Sequence, residues 1–353
     1  MAGGIGSRFW PLSTADRPKQ FIDILGIGKT LLQLTFERFN RIMPAENFFV
    51  VTSERYKEVV MEQLPQLNES QVLLEPLRRN TAPCIAYATH KIASICPTAK
   101  IVVSPSDHLI LKEDLFLNEI EKGLQFAGEN NVLVTLGIQP SRPETGYGYI
   151  QVSEKLQYDH FDNLYKVKTF TEKPDRTMAQ VFVDTGEFYW NSGIFVWSAP
   201  AIQEAFEKYL PDLNMLFDNG KKLINTSDER SFINKTYSEC PNISIDYGIM
   251  EKADNVYVLT ADFGWSDLGT WGSLYENHPL DKKGNAVSGS KTFMYDTSGC
   301  IVNLPMEKTA VIQGLQDYII VESQDTLLIC KKEDEQQIRQ FVADVMLSKE
   351  RKI

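Results

Sequence analysis

The chain has 353 residues, 43% of them hydrophobic and 24% charged, with a formal net charge of −11. That length exceeds one simple core and predicts two domains, and the ordinary composition excludes a disordered chain, a collagen-like repeat or a disulfide-stapled mini-protein. The acidic balance argues against a nucleic-acid partner, no stretch reaches the roughly 18 consecutive apolar residues of a membrane span, and the start MAGGIGSRFWPLS is no secretory signal. Cys84, Cys96, Cys240, Cys300 and Cys330 are odd in number and form no CxxC pair. They read as thiols of a reducing compartment, so a cytoplasmic setting with no membrane partner is expected.

Along the first two-thirds, short β-rich runs alternate with amphipathic segments, which predicts an α/β fold with a doubly wound, mixed, mostly parallel sheet. Strands are expected at 48–52, 72–74, 100–104 and 132–138, with helices at 54–64, 81–96 and 114–127 between them. Pro83 falls in the first turn of the second helix, where its missing N–H costs little. The pattern then loosens into strands at 146–152, 164–171, 194–197 and 257–260, with helices at about 175–184 and 199–217. After Pro279 the alternation stops, which places a domain over 1–280 and another over 281–353. The second is expected to be small and β-rich, with a short β-helix as one form it could take, strands at 318–322 and 326–330 and a closing helix at 333–347.

The strongest chemical signal opens the chain. Gly3, Gly4 and Gly6 let backbone N–H groups converge on an anion without hindrance from a Cβ, and Ser7, Arg8, Arg17 and Lys19 add polar and cationic groups to the same loop. Phe9 replaces the third glycine of a dinucleotide fingerprint and no Gly-Lys-Ser/Thr follows, so neither a Rossmann cofactor loop nor a Walker loop fits. The four histidines show no metal-ligand or triad spacing. Asp107 ends a buried strand, where open α/β sheets place ligands, and Asp267 lies in a Gly-Trp-Ser-Asp-Leu-Gly turn. Their hard oxygens suit Mg²⁺, while a cap or turn is the alternative for each.

The combination GGxGSRxWPLS…RPKQF resembles the signature of the sugar-nucleotide pyrophosphorylases, a nucleotidyltransferase family, and its Phe9-Trp10-Pro11-Leu12-Ser13 version is similar to the mannose-1-phosphate guanylyltransferases. The resemblance continues in order through Leu74-Glu75-Pro76, Arg79-Asn80-Thr81-Ala82-Pro83, Pro105-Ser106-Asp107-His108, Thr145–Ile150, Phe170–Pro174, Trp190–Phe195, Ser244–Tyr247 and Gly264–Gly269. It implies a Rossmann-like nucleotidyltransferase (glycosyltransferase-A-like) fold over 1–280 and Mg²⁺-dependent transfer of GMP from GTP to α-mannose 1-phosphate. It also implies Asp107 and Asp267 as metal ligands, and Arg8, Lys19, Asp107, Lys173 and Asp267 as the catalytic set. Gly3, Gly4, Gly6, Ser7, Arg8, Lys19, Glu75, Asn80, Thr81, Pro83, Ser106 and Asp107 would face the nucleotide. Gly146, Tyr147, Gly148, Glu172, Lys173, Asn191 and Asp246 would face the sugar phosphate.

The chemistry agrees with such a set. An ionised phosphate oxygen attacks phosphorus without a general base, and the barrier is anion repulsion that cations relieve. The bland readings stand beside these: Glu172-Lys173 as an exposed pair, the glycines around Tyr147 as a bulge, Asn191 as a turn residue, Asp246 as a helix cap and Glu75 as a surface carboxylate. Another nucleotide or hexose 1-phosphate, or a silent sugar-nucleotide sensor, are the competing functions, and a homodimer is left open. Relatives of this kind carry an apolar strand ahead of Ala-Gly-Gly, where only Met1 stands here, so the start codon is expected to have been placed late. With no room for a cupin-like isomerase domain after residue 350, the chain is expected to be monofunctional.

Overall fold

The computed structural model describes residues 1–4, 9–158 and 161–350, so Gly6, Ser7 and Arg8 lie outside the described residues. In chain order the strands are β1 (Val50–Ser53), β2 (Val72–Glu75), β3 (Lys100–Val103), β4 (Leu109–Ile110), β5 (Leu133–Ile138), β6 (Gly148–Lys155), β7 (Leu164–Glu172), β8 (Phe188–Ser198), β9 (Val256–Thr260), β10 (Trp265–Ser266), β11 (Ala286–Tyr295), β12 (Ile301–Gln313), β13 (Tyr318–Ser323) and β14 (Thr326–Lys331). Two compact units interleave along the sequence. One comprises Met1–Gly3, Arg38–Pro105 and Ile110–Trp265, the other Gly4–Glu37, Ser106–Leu109 and Ser266–Ile353.

The first unit is built on a sheet of order β3-β8-β5-β9-β7-β6. It is mixed, as expected, but the expectation of mostly parallel pairing is corrected. β5 and β9 pair in parallel, whereas β3–β8, β5–β8, β7–β9, β6–β7 and β6–β8 are antiparallel. Three of these pairings come from β8, which runs from Phe188 to Ser198 rather than over 194–197 alone and enters between β3 and β5 in the opposite direction, and the other two from β7. All six residues of β5 are buried, as a strand covered on both faces requires. Leu133, Phe195 and Trp197 face helices Thr81–Ile95 and Ala199–Tyr209 in one core, while Val134, Leu136 and Val196 face helix Glu113–Glu129 in another. The helix expected over 199–217 is two, Ala199–Tyr209 and Pro211–Asp218, because Pro211 has no N–H to continue the ladder and biases Leu210 out of the helical region (φ −135°, ψ 55°).

β1 and β2 form a separate parallel pair. The Ala2 N–H donates to the Val51 carbonyl at 2.8 Å, Thr52 Oγ1 donates to the Ala2 carbonyl at 2.9 Å, and the Met1 ammonium donates to the Ser104 carbonyl at 2.8 Å. Met1 and Ala2 thereby bridge β1 and the segment that follows β3.

In the second unit β11, β12 and β13 pair in parallel, and β14 closes antiparallel on β13. Ile301 of β12 pairs with Ile319, yet β12 runs on to Gln313 and returns through residues 314–317. Five Cα steps reach about 18 Å, whereas a straight strand of thirteen residues measures about 40 Å. The strand must therefore bend round on itself, and the ladder is a β-helical coil. The bend coincides with the register shift between Gly289 and Lys291, where Gly289 has φ +96° and a Cβ would sit 1.8 Å from the Leu304 carbonyl oxygen. One set of coil residues, Cys300, Val302, Leu304, Ile312 and Ile320, forms its own cluster. Another, Ile301, Ile319 and Val321, packs with Phe9, Trp10, Ile22, Leu268 and Trp271. The closing helix is Ile338–Glu350, preceded by a 3₁₀ segment over Lys332–Gln337.

Helix Thr81–Ile95 is joined to helix Glu229–Glu239 by a largely buried pair, with Lys91 Nζ 2.6 Å from Glu229 Oε2. The Tyr87 hydroxyl and the Asn225 N–H also donate to that carboxylate, each at 2.7 Å. Removing one member of such a pair leaves a buried charge uncompensated. Lys91→Met is expected to lower stability by about 3 kcal/mol, read as a shift in the urea midpoint, whereas an unmoved midpoint would show the pair to be energetically idle.

Candidate active site

In the second unit Lys19, only 6% exposed, lies in a 3₁₀ turn after Pro18. Its ammonium is 3.1 Å from Asp107 Oδ2 and donates to the carbonyls of Asp267 and Leu268, the latter at 3.1 Å. Three N–H donors thus meet three acceptors from two distant loops. Burial pushes the Asp107 carboxyl up, but the charges of Lys19 and His108 outweigh this and hold it below its ordinary value. His108 Nε2 lies 3.9 Å from Asp107 Oδ1, a contact not foreseen from sequence. Asp267 Oδ1 accepts from the Gly269 N–H at 2.9 Å, so the turn-forming role and proximity to Asp107's partner coexist. Leu268, next in the chain, is held at φ +44°, a region a branched residue adopts only under constraint. Gly4 gives its carbonyl to Gln20 Nε2 at 2.9 Å, and Ser106 is buried.

Of the residues assigned to the nucleotide, Gly3, Glu75, Asn80, Thr81 and Pro83 belong to the first unit, whereas Gly4, Lys19, Ser106 and Asp107 belong to the second. Glu75 ends β2, is 8% exposed, and accepts from the Tyr237 hydroxyl at 3.2 Å. Its other oxygen lies 3.4 Å from where a Cβ on Gly3 would be, so it faces the start of the glycine loop and is no surface carboxylate. Asn80 caps helix Thr81–Ile95 from φ +66°, its side chain accepting from the Thr81 N–H at 3.0 Å, and Pro83 is buried in the first turn. Arg79 donates to the carbonyls of Tyr237 and Ser238 at 3.1 and 3.3 Å, anchoring the last turn of helix Glu229–Glu239. Tyr237 was invisible in the sequence because it stands 162 residues from its carboxylate partner.

The sugar-side residues come together in the first unit. Lys173 follows β7 at φ +48°; its N–H donates to the Tyr147 carbonyl at 3.2 Å and its ammonium to Glu172 Oε1 at 2.7 Å. Burial lowers the Lys173 ammonium, and the Glu172 contact more than reverses this, leaving it raised. A Cβ on Gly148 would meet Glu172 Oε2 at 2.3 Å, so glycine there makes room for that carboxylate. Gly146 N–H donates to Glu144, and the Tyr147 ring packs edge-on against Trp190 and Trp265 at 5.2 and 5.1 Å. Asn191 is a strand residue of β8, not a turn residue. Its Oδ1 accepts from the Gly193 N–H at 3.1 Å and lies 3.2 Å from Thr135 Oγ1, and its Nδ2 donates to Asp246 Oδ1 at 2.8 Å. Asp246 opens a π-helical turn over Asp246–Met250 without capping it. Burial and the nearby Glu172 charge push its carboxyl up to about 6.

Comparison with known proteins bears on this arrangement. The family model described as Nucleotidyl transferase matches residues 1–284, and that described as MannoseP isomerase/GMP-like beta-helix domain matches 291–345. A Klebsiella pneumoniae protein named mannose-1-phosphate guanylyltransferase is 37% identical over 348 residues, 97% of this chain and 72% of its own length. Alginate biosynthesis protein AlgA of Pseudomonas aeruginosa is 34% identical over 353 residues, 98% of this chain and 71% of its own. A solved structure from Thermus thermophilus, described as a mannose-1-phosphate geranyltransferase, superimposes with a TM-score of 0.86 at 31% identity and 98% coverage of both chains.

Burial raises the Glu75 carboxyl to about 7, partly countered by the Tyr237 hydroxyl. A folded value above the unfolded one means that ionisation destabilises, increasingly so from about pH 4 to pH 7. Glu75→Gln is expected to gain on the parent protein by about 2 kcal/mol more at pH 8 than at pH 5. Denaturant titrations at the two pH values check this, and an equal difference at both would contradict the raised carboxyl.

Proposed function

This chain belongs to the nucleotidyl transferase family, and we propose that it transfers GMP from GTP to α-D-mannose 1-phosphate, giving GDP-mannose and pyrophosphate. The observation that carries the reading is the turn at Lys173. A non-glycine residue is held at φ +48° so that its ammonium stands beside Glu172, with the Asn191–Asp246 pair in the same unit. A cation beside carboxylates suits a phosphorylated sugar, whose phosphate needs the charge and whose hydroxyls need acceptors.

An ionised oxygen of mannose 1-phosphate attacks the α-phosphorus of GTP. The bond from that phosphorus to the bridging oxygen breaks, and pyrophosphate leaves with the electron pair. No proton has to move, so the residues act by holding and neutralising anions. Lys173 takes the sugar phosphate, while Glu172 and Asp246 accept from sugar hydroxyls. Backbone N–H groups of Gly3, Gly4, Gly6 and Ser7, with Arg8, take the triphosphate. Glu75 accepts from the N–H edge of guanine, beside Asn80. Lys19 has its donors committed to Asp107 and the 267–268 carbonyls, so it acts first as the pin of that loop pair.

Asp107 and Asp267 fit a Mg²⁺ site. Both are hard oxygen donors, and their loops are tied by one ammonium. Mg²⁺ takes one or two carboxylates and completes its shell with water and substrate phosphates, and when bound it supplies positive charge to those phosphate oxygens. No described helix is long and apolar enough to cross a membrane. The five cysteines are unbridged, which supports a cytoplasmic setting.

Pyrophosphate release measured across four nucleoside triphosphates and several hexose 1-phosphates tests the assignment, with GTP and mannose 1-phosphate expected to be the preferred pair. Asp107→Ala and Asp267→Ala are each expected to lower kcat by roughly 10²–10³ while the protein stays folded. Near-parental turnover in either variant at saturating Mg²⁺ would remove that residue from the site. Lys173→Ala should chiefly raise KM for the sugar phosphate, and an equal loss toward GTP would contradict its place.

A further inference from the structure

Thr81 stands among residues assigned to the nucleotide, yet its side chain is used elsewhere. The Ile245 N–H donates to Thr81 Oγ1 at 2.8 Å, immediately before Asp246. Two backbone bonds reinforce the seam, Ile243 N–H to the Arg79 carbonyl at 3.3 Å and Ala82 N–H to the Ile243 carbonyl at 3.1 Å. The N–H groups at the start of a helical segment have no partner within it and need one from outside. For the turn Asp246–Met250 the N-cap residue Ile245 supplies no side-chain cap, and its N–H is met by Thr81 at the start of another helix. Asp246 is then fixed from both directions, its backbone by this seam and its carboxylate by Asn191 Nδ2 at 2.8 Å.

We propose that Thr81 is a positioning residue for the sugar side of the site, holding the backbone at Ile245 so that the Asp246 carboxylate meets the sugar. The proposal rests on the functional reading above. It assigns Thr81 to sugar-phosphate affinity although the sequence places it in a nucleotide motif. Asp246 can accept from a sugar hydroxyl only where Asn191 and the 245–246 backbone leave it. Loss of one hydrogen bond in that support displaces it without touching Glu75 or the glycine loop.

Steady-state kinetics of the full chain, with each substrate varied in turn, test this in Thr81→Val, Thr81→Ala and Thr81→Ser. The first two remove the acceptor oxygen, one at constant volume and one without added bulk. Both are expected to raise KM for the hexose 1-phosphate about fivefold to tenfold, the effect of one lost hydrogen bond, with KM for the nucleotide within about twofold. Thr81→Ser, which keeps the oxygen, should restore the parental value. A rise in nucleotide KM as large as that for the sugar phosphate, no rise in either, or no rescue by serine would overturn the proposal. The split is read with whichever pair the unaltered protein turns over, so a different sugar fails the functional reading alone. If it turns over none, that reading has failed, and the melting-temperature shift given by mannose 1-phosphate decides. A shift lost in Thr81→Val and kept in Thr81→Ser supports the role, and a shift unchanged in Thr81→Val, or absent from the unaltered protein, overturns it.

Discussion

An ammonium removed from water loses several kcal/mol of hydration, and a protein keeps one inside only by surrounding it with acceptors. Lys19 is held this way, against the Asp107 carboxylate and the Asp267 and Leu268 carbonyls. Because these partners come from segments more than eighty residues apart, the bond does more than satisfy a charge. It fixes the residues after the glycine loop against the two carboxylate loops, and the packing of Phe9 on Trp271, ring centroids 5.1 Å apart, seals the same unit with apolar contact. The carboxylates inherit their placement from that arrangement. Asp107 stays ionised because the cation beside it outweighs its burial, which is the state that metal coordination requires.

The sugar side solves a different problem, since a neutral amide could be turned either way. Gly193 N–H addresses Asn191 Oδ1, and the Thr135 hydroxyl lies within bonding distance of it, so Nδ2 is the end that reaches Asp246. Thr135 is fully buried on β5, so the orientation is set by the core of the sheet and not by solvent. A site whose groups are aimed by packed strands needs no rearrangement to present them, and in a dry setting each such bond is worth more than in water.

Much of this was readable in advance, for reasons that are local. The apolar run of β5, the proline-started helix Thr81–Ile95 and the acidic turn at Asp267 carry their signals within a few residues. β8 was cut short because Asn191-Ser192-Gly193 has the composition of a turn, and only neighbours on both sides make it a strand, with Gly193 at φ +68° absorbing the irregularity. The seam between residues 79–82 and 243–245, the Tyr237–Glu75 bond, the three acceptors around Lys19 and the Thr135 and Asp246 partners of Asn191 join positions that no window on the sequence spans. The interleaving of the two units is equally nonlocal. The segment carrying Trp10 and Lys19 shares a core with coil strands some three hundred residues later.

Asn80, Lys173 and Leu268 each hold a left-handed backbone that glycine would adopt without cost. The side chains differ in what glycine would remove: Leu268 is fully buried in an apolar core and Asn80 caps a helix, whereas the Lys173 side chain is mostly exposed. At an exposed position the ease of the backbone and the chemistry of the side chain pull in opposite directions. At Lys173 the conflict is sharpest, because glycine would relax the turn and delete the ammonium in one step. A variant chosen blindly for melting temperature would therefore be free to trade away Lys173, a residue the proposed chemistry cannot spare.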